Sequence, residues 1–215
     1  MTTTFILCGG IGSRLRDVLT RDCPKAMVEV AGKPFLEYII MQLAAQGFKE
    51  VVFCTGIGHD RILNYFRNGS QWDVKISYSH ETEPLGTAGA LRVALCRYPQ
   101  DGPFLVMNGD TFFDVELKRL VDSDYDITVA LARVDGRFDV PDWDNEGGLV
   151  FNRSYYVNSG VLSIFGSVPD SLRDAWTMEV DGFFTDIGTK ESYAELCANP
   201  QPMLDALASY KAVCR

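Results

Sequence analysis

The chain lacks the features that mark several classes of protein. Among 215 residues it has two histidines, His59 and His80, and its six cysteines (Cys8, Cys23, Cys54, Cys96, Cys197 and Cys214) form no C-x-x-C pair. A zinc site is therefore not expected. No basic segment followed by an apolar stretch and a small-residue cleavage site stands at the start. Nowhere do about eighteen apolar residues run together, so no transmembrane helix is expected. A reducing, cytoplasmic setting is the expectation. Cys8, Cys54 and Cys96 lie inside apolar runs and are expected in the core as reduced thiols. Positive charge is also in short supply: 20 Lys and Arg against 29 Asp and Glu leave a net charge of −9. That balance argues against non-specific nucleic-acid binding, yet it leaves room for a small phosphorylated ligand in a local cationic pocket. No internal repeat, linker or low-complexity tract is present.

What is present alternates regularly. Hydrophobic residues make up 47% and charged residues 23% of the chain, ordinary for a globular protein, and the length suits one domain. Short apolar runs at 4–8, 50–55, 74–79 and 103–108 read as strands. Segments of helical period at 34–47, 59–69 and 86–98 separate them. This predicts βαβ units, hence a mixed, mainly parallel central sheet with helices on both faces. Gly47 and Gly69 fall where helices end on glycine. A further strand is expected at 126–134, a loop or hairpin approach at 135–148, β-rich chain at 148–166 and a short helix at 170–176. Strand, turn and helix follow at 182–197, with Thr189 as N-cap, and a last helix from 202. In such sheets ligands sit at the carboxyl ends of the strands, so the residues after each run matter most.

Three groups stand there. After the first run, "GGIGSR" offers Gly9, Gly10 and Gly12, which let a chain turn sharply and aim backbone N–H groups at an anion. The pattern is neither G-x-G-x-x-G nor G-K-[ST]. Arg14, and Lys25 in "CPKAM", supply cations suited to phosphate; a tight structural turn with solvated arginines would use the same residues. Asp110 ends "NGD" and Asp186 ends "FTD", each at a strand end. Two converging carboxylates with a nucleotide triphosphate would hold Mg²⁺, although strand-end aspartates also cap turns. Glu81 precedes the small-residue helix start "GTAGAL". Its carboxylate can accept two parallel hydrogen bonds, which guanine offers from N1–H and N2–H₂; a solvated glutamate is the plainer alternative.

Taken in order, "LCGGIGSRL" with "CPKAM", "EPLGTAGAL", "NGDTFFD", "VNSGVLSIF" and "FTDIGTKESY" resemble the sugar-1-phosphate nucleotidylyltransferase family, over residues 5–193. Within it the chain looks most similar to the D-glycero-α-D-manno-heptose 1-phosphate guanylyltransferases, and also to mannose-1-phosphate guanylyltransferases and short N-acetylmuramate-1-phosphate uridylyltransferases. The resemblance implies a single Rossmann-like nucleotidyltransferase domain over 1–215, with a nucleotide-binding half (1–110) and a sugar-phosphate-binding half (111–215). It implies transfer of a nucleoside monophosphate from an NTP, best GTP, to a sugar 1-phosphate, with pyrophosphate released. Leu7, Gly9, Gly10, Gly12, Arg14, Glu81, Gly86 and Thr87 would then bind the nucleotide. Arg14 would hold the β- and γ-phosphates, and Lys25 would stabilise charge at the reacting α-phosphate. Asp110 and Asp186 would hold Mg²⁺, and Asn108, Asn158 and Gly160 would meet the sugar phosphate.

The pattern departs from the family in one place. The usual E-K-P lysine before the N-x-G motif is missing, and no lysine occurs between Arg137 and Lys190. Arg153 could replace it or be a solvated strand residue. Alternatives therefore stay open: a uridylyl- or thymidylyltransferase on another hexose 1-phosphate, a non-catalytic nucleotide-sugar-binding subunit, or a phosphocholine cytidylyltransferase. The partners expected are small molecules, with no nucleic acid or membrane, and self-association is left open. His59 and His80, without motif partners, read as surface or turn residues; Tyr65 and Phe66, at helical spacing, read as core.

Overall fold

The structure, a computed structural model, describes residues 1–10, 12, 15, 23–133, 156–166 and 175–213. The expected loop at 135–148, the residues 148–155 and most of the short helix foreseen at 170–176 lie outside the described residues, as do Arg14, Arg153 and Cys214.

The first apolar run is β1 (Thr3–Leu7). A two-residue hairpin, β2 (Glu29–Val30) and β3 (Lys33–Pro34), turns through Ala31 and Gly32 and leads into α1 (Phe35–Ala45). Then come β4 (Glu50–Thr55), α2 (His59–Phe66), β5 (Lys75–His80), α3 (Gly86–Arg97) and β6 (Phe104–Asn108). Each lies within a residue or two of its apolar run or helical period. The exception is α2, which stops at Phe66; Gly69 takes its left-handed conformation (φ 81°) two residues past the cap. A Cβ there would stand 2.8 Å from Val74 O, so this glycine serves the turn into β5 rather than the helix end.

The second half contains β7 (Thr111–Phe113), α4 (Leu117–Val121), β8 (Ile127–Arg133), β9 (Tyr156–Ile164), β10 (Trp176–Val180), β11 (Phe184–Asp186), α5 (Lys190–Ala198) and α6 (Gln201–Val213). Trp176, read as the end of a helix, is instead the first residue of β10, and pairs with Thr128 in parallel register.

Seven strands form the central sheet in the order β10-β8-β9-β6-β1-β4-β5. All run parallel except β9, which pairs antiparallel with both β6 and β8. The expected mixed, mainly parallel sheet is what folds. Alternation along each strand serves two cores. Ile6, Val51, Phe53, Leu105 and Met107 face α1, α2, α4 and α6, while Phe5, Val52, Cys54, Phe104 and Val106 face Leu91 and Ala94 of α3. Helices thus cover both faces. Cys8 and Cys54 are buried as expected, but Cys96 is exposed, on the side of α3 turned from the sheet. Phe66 is buried, whereas Tyr65 is 39% exposed. Among the described residues no helix is long and apolar enough to cross a membrane.

Candidate active site

The carboxyl ends of β6, β1, β4 and β5 lie side by side, and those of β6, β1 and β5 are extended by residues singled out from the sequence. Beyond β1, the Cys8 N–H donates to Cys54 C=O, and the Gly109 N–H donates to Leu7 C=O, both at 2.9 Å. A methyl at Gly109 would stand 2.9 Å from Cys8 Cβ. The glycine of "NGD" therefore lets Asp110 leave β6 this close to the glycine-rich turn.

Asp110 meets a cation. Lys25, on a 3-10 turn entered from Pro24, places Nζ 2.5 Å from Asp110 Oδ2. The lysine side chain is only 14% exposed and the aspartate's 33%, so the pair is partly shielded from water. Asp186 arrives from 76 residues further on through a short ribbon. β11 pairs antiparallel with β7 so that Asp186 lies opposite Thr111, and the Ile187 N–H donates to Asp110 C=O at 3.0 Å. The two expected metal-binding aspartates are thus brought to one place by backbone pairing. Asp186 Oδ1 is fixed in turn, accepting from Gly188 N–H at 2.5 Å and from Ser192 Oγ at 3.0 Å. Ser192 is also half of the capping box it forms with Thr189 at the start of α5.

On the other side of the loop, Glu81 extends β5, its N–H donating to Thr55 C=O at 2.9 Å. Its Oε1 lies 2.8 Å from where a Cβ on Gly9 would be and 3.3 Å from where one on Gly56 would be. The carboxylate therefore stands against the glycine-rich turn. Leu85 N–H approaches Oε2 at 3.4 Å. Gly86 (φ 69°) opens α3, and Thr87 is exposed in its first turn. Gly10 is exposed with open space around it, and Gly12 (φ 62°) accepts from Leu15 N–H at 2.9 Å. Leu7, the last residue of β1, is half-buried between β4 and β6.

Opposite β6, strand β9 bulges. Val129 pairs with Leu162 but Leu131 pairs with Asn158, so β9 carries extra residues between them. Gly160 sits in the bulge at φ 68°, and a Cβ there would stand 2.4 Å from Asn108 Nδ2. Asn108 therefore packs against the bare backbone of Gly160. The side chain of Asn158 lies outside the described residues.

Both histidines gather at the end of β4 and β5, half-buried rather than solvated. His59 and His80 stack with centroids 4.3 Å apart at 27°. They line a cleft of about 390 Å³ with Gly56, Gly58, Asp60 and Arg61. Burial, with His80 beside it, holds the His59 imidazole below its usual pKa. His59 Nδ1 lies 2.8 Å from Thr55 Oγ1, but Thr55 is fully buried, so this contact is structural. Burial pushes the Cys8 thiol well up and that of Cys54 to about 12. Neither serves as a thiolate nucleophile.

A model of the family described as nucleotidyl transferase matches residues 3–134. The D-glycero-α-D-manno-heptose 1-phosphate guanylyltransferase of Campylobacter jejuni is 31% identical over 91% of this chain and 98% of its own length. The chain belongs to the sugar-1-phosphate nucleotidyltransferases. Among members of that family, the mannose-1-phosphate guanylyltransferase catalytic subunit beta of Drosophila pseudoobscura pseudoobscura is 29% identical over 89% of this chain, a match that spans 60% of that longer protein. The crystal structure of HddC from Yersinia pseudotuberculosis complexed with GMP-PN superposes with a TM-score of 0.73 at 26% identity, covering 94% of this chain and all of that one. As a sugar-1-phosphate nucleotidyltransferase the chain is an enzyme acting on small molecules.

Several residues of the site were not singled out in the sequence. Ser192 and Gly188 hold Asp186, and their signal was the capping pattern "TKES" directly after "DIG". Gly182, where a Cβ would stand 1.9 Å from Asp114 O, lets the ribbon close; a lone glycine between strands gave no warning of that.

Proposed function

We propose that this enzyme transfers GMP from GTP to a sugar 1-phosphate, with D-glycero-α-D-manno-heptose 1-phosphate as the leading acceptor, releasing pyrophosphate and a GDP-sugar. The observation that carries the guanine assignment is the Glu81 carboxylate set against Gly9, where it can accept from N1–H and N2–H₂ together. The heptose 1-phosphate guanylyltransferase that aligns over nearly its whole length supports the acceptor.

Residues 1–110 form the nucleotide half in this reading and residues 111–215 the acceptor half. Leu7, Gly9, Gly10 and Gly12 present the turn to the triphosphate, and Arg14 neutralises its distal phosphates. Gly86 and Thr87 border the base. Asn108, Asn158 and Gly160 take the sugar phosphate, with Arg153 in place of the family lysine. Asp110 and Asp186 offer hard oxygen donors on paired strands, which suits Mg²⁺, a cation that takes one or two carboxylates and completes its shell with phosphates and water. When bound, Mg²⁺ supplies charge neutralisation at the α-phosphate and the leaving pyrophosphate.

No nucleophilic side chain is required. The acceptor phosphate oxygen attacks the α-phosphorus, and Lys25 meets the charge that develops there. The remaining work is alignment by a rigid sheet edge. A cytoplasmic setting belongs to the same reading, supported by five cysteines free of disulfides among the described residues.

The test is pyrophosphate release with Mg²⁺, with ATP, GTP, CTP, UTP and dTTP each crossed with a panel of sugar 1-phosphates and phosphocholine. Release concentrated in GTP with a heptose phosphate is expected. Preference for UTP or dTTP would overturn the base assignment. Silence in every well, from protein that still binds GTP, would favour a binding subunit.

A further inference from the structure

The Glu81 carboxylate can stand where it does only because two neighbouring residues lack side chains. One is Gly9, already part of the nucleotide loop. The other is Gly56, the first residue beyond β4, which is buried. A Cβ on Gly56 would lie 3.0 Å from Gly9 O, 3.3 Å from Gly9 Cα and 3.3 Å from Glu81 Oε1. Those distances are tighter than ordinary van der Waals contact, and two of the three partners are backbone atoms of the loop itself. Gly56 is not among the glycines at positive φ, so no left-handed backbone bars an L residue there. What the position demands is space, not conformational freedom.

The cause lies in the sheet. β1 and β5 are not neighbours; β4 separates them. A carboxylate leaving the end of β5 must pass over the end of β4 to reach the turn after β1. Thr55 C=O fixes the backbone of Glu81 by accepting its N–H, and the bare backbone at Gly56 leaves the passage open.

We infer that Gly56 is a positioning residue for base selection: its missing side chain forms, with Gly9, the notch that seats Glu81 for guanine. This rests on the reading of Glu81 given above. Gly56 touches neither the base nor the reacting phosphates in this account, and its effect on base selection runs through the carboxylate. The ligand feature at stake is the 2-amino group of guanine, the second donor to a bidentate carboxylate.

The test compares GTP with ITP, which keeps N1–H and O6 but lacks the 2-amino group. Affinities are measured by calorimetry with Mg²⁺ and no acceptor, so that turnover plays no part. The unaltered enzyme should favour GTP by at least about tenfold, the scale of a hydrogen bond to a charged group. Gly56→Ala should bring the ratio to within about twofold, while any displacement of Gly9 weakens both nucleotides equally. In a double-mutant cycle, Gly56→Ala should add nothing to the ratio already lowered by Glu81→Gln. If Glu81→Gln lowers the ratio and Gly56→Ala leaves it intact, the inference fails and the Glu81 reading stands. If Glu81→Gln leaves it intact as well, the reading itself falls, and this inference with it. Should Gly56→Ala alone not fold, the same change beside Glu81→Ala should, because the methyl then takes the space of the carboxylate. Failure of that double variant would locate the conflict at Gly9 O and overturn the assignment.

Discussion

Replacing Gly160 by alanine should separate acceptor binding from nucleotide binding. The new methyl would stand 2.4 Å from Asn108 Nδ2 and 2.8 Å from its Cγ, so the asparagine must leave its rotamer or β9 must lift. A left-handed backbone costs an L residue about 1–2 kcal/mol, and driving a side chain off its rotamer costs about 0.5–1.5 kcal/mol. The change should therefore destabilise the fold by about 2–3 kcal/mol. For a chain of this size that is a fall in Tm of about 5–10 °C, readable by differential scanning fluorimetry. Because the displaced group is Asn108, the KM for sugar 1-phosphate should rise by about tenfold or more while that for GTP stays within about twofold. An unchanged Tm would mean that the bulge has room the geometry denies. Equal effects on both KM values would mean that Asn108 and Gly160 do not address the acceptor.

Three further outcomes are expected. Lys25→Met should lower kcat by about 10²–10³-fold, the scale of losing one preorganised charge at the transition state; a loss below about tenfold in steady-state turnover would move Lys25 away from the reacting phosphate. Ser192→Ala releases one of the two donors on Asp186 Oδ1 and should raise the Mg²⁺ concentration for half-maximal activity by about tenfold, with no change in GTP KM at saturating Mg²⁺; a changed GTP KM would instead point to a general loosening of α5. His59 is held below its ordinary value of 6.5. As pH falls through 6.5 the unfolded chain takes up a proton before the folded one does, so stability declines from there down to the folded value. His59→Gln should flatten urea midpoints between pH 7.5 and 5.5, and midpoints that fall in parallel for both proteins would refute this.

The front half of the fold was legible because its periods are long and clean. Glu50–Thr55 is a strand to the residue, and α1 and α3 fill the helical periods expected of them. α2 ran short because its buried pair, Ile62 and Phe66, completes its contact with the core before Gly69, which serves the next turn. Cys96 misled because an apolar run does not say which face of α3 meets the sheet; Leu91 and Ala94 take that face. Asp110 and Asp186 were legible as a converging pair, but the means of their convergence was not. The ribbon that joins them has three residues per strand, too short for a period, and the glycine that lets it close makes a contact visible only in space. Gly56 was hidden for the same reason, since its role is defined by Gly9 and Glu81, 47 and 25 residues away in the chain.

The ribbon also bears on how the protein is made. A ribosome delivers the glycine-rich turn, Lys25, Glu81 and Asp110 before either the ribbon's second strand or α5. The partner of Asp110 emerges 76 residues later, which at about 5–20 residues per second is a delay of roughly 4–15 s. Through that interval the early strands can pair and the nascent chain can acquire its glycine-rich turn, yet the two carboxylates cannot stand together. An unfinished chain released by premature termination before residue 184 would therefore carry the loop and its lysine but no ribbon, and would be unable to assemble the site proposed for the metal.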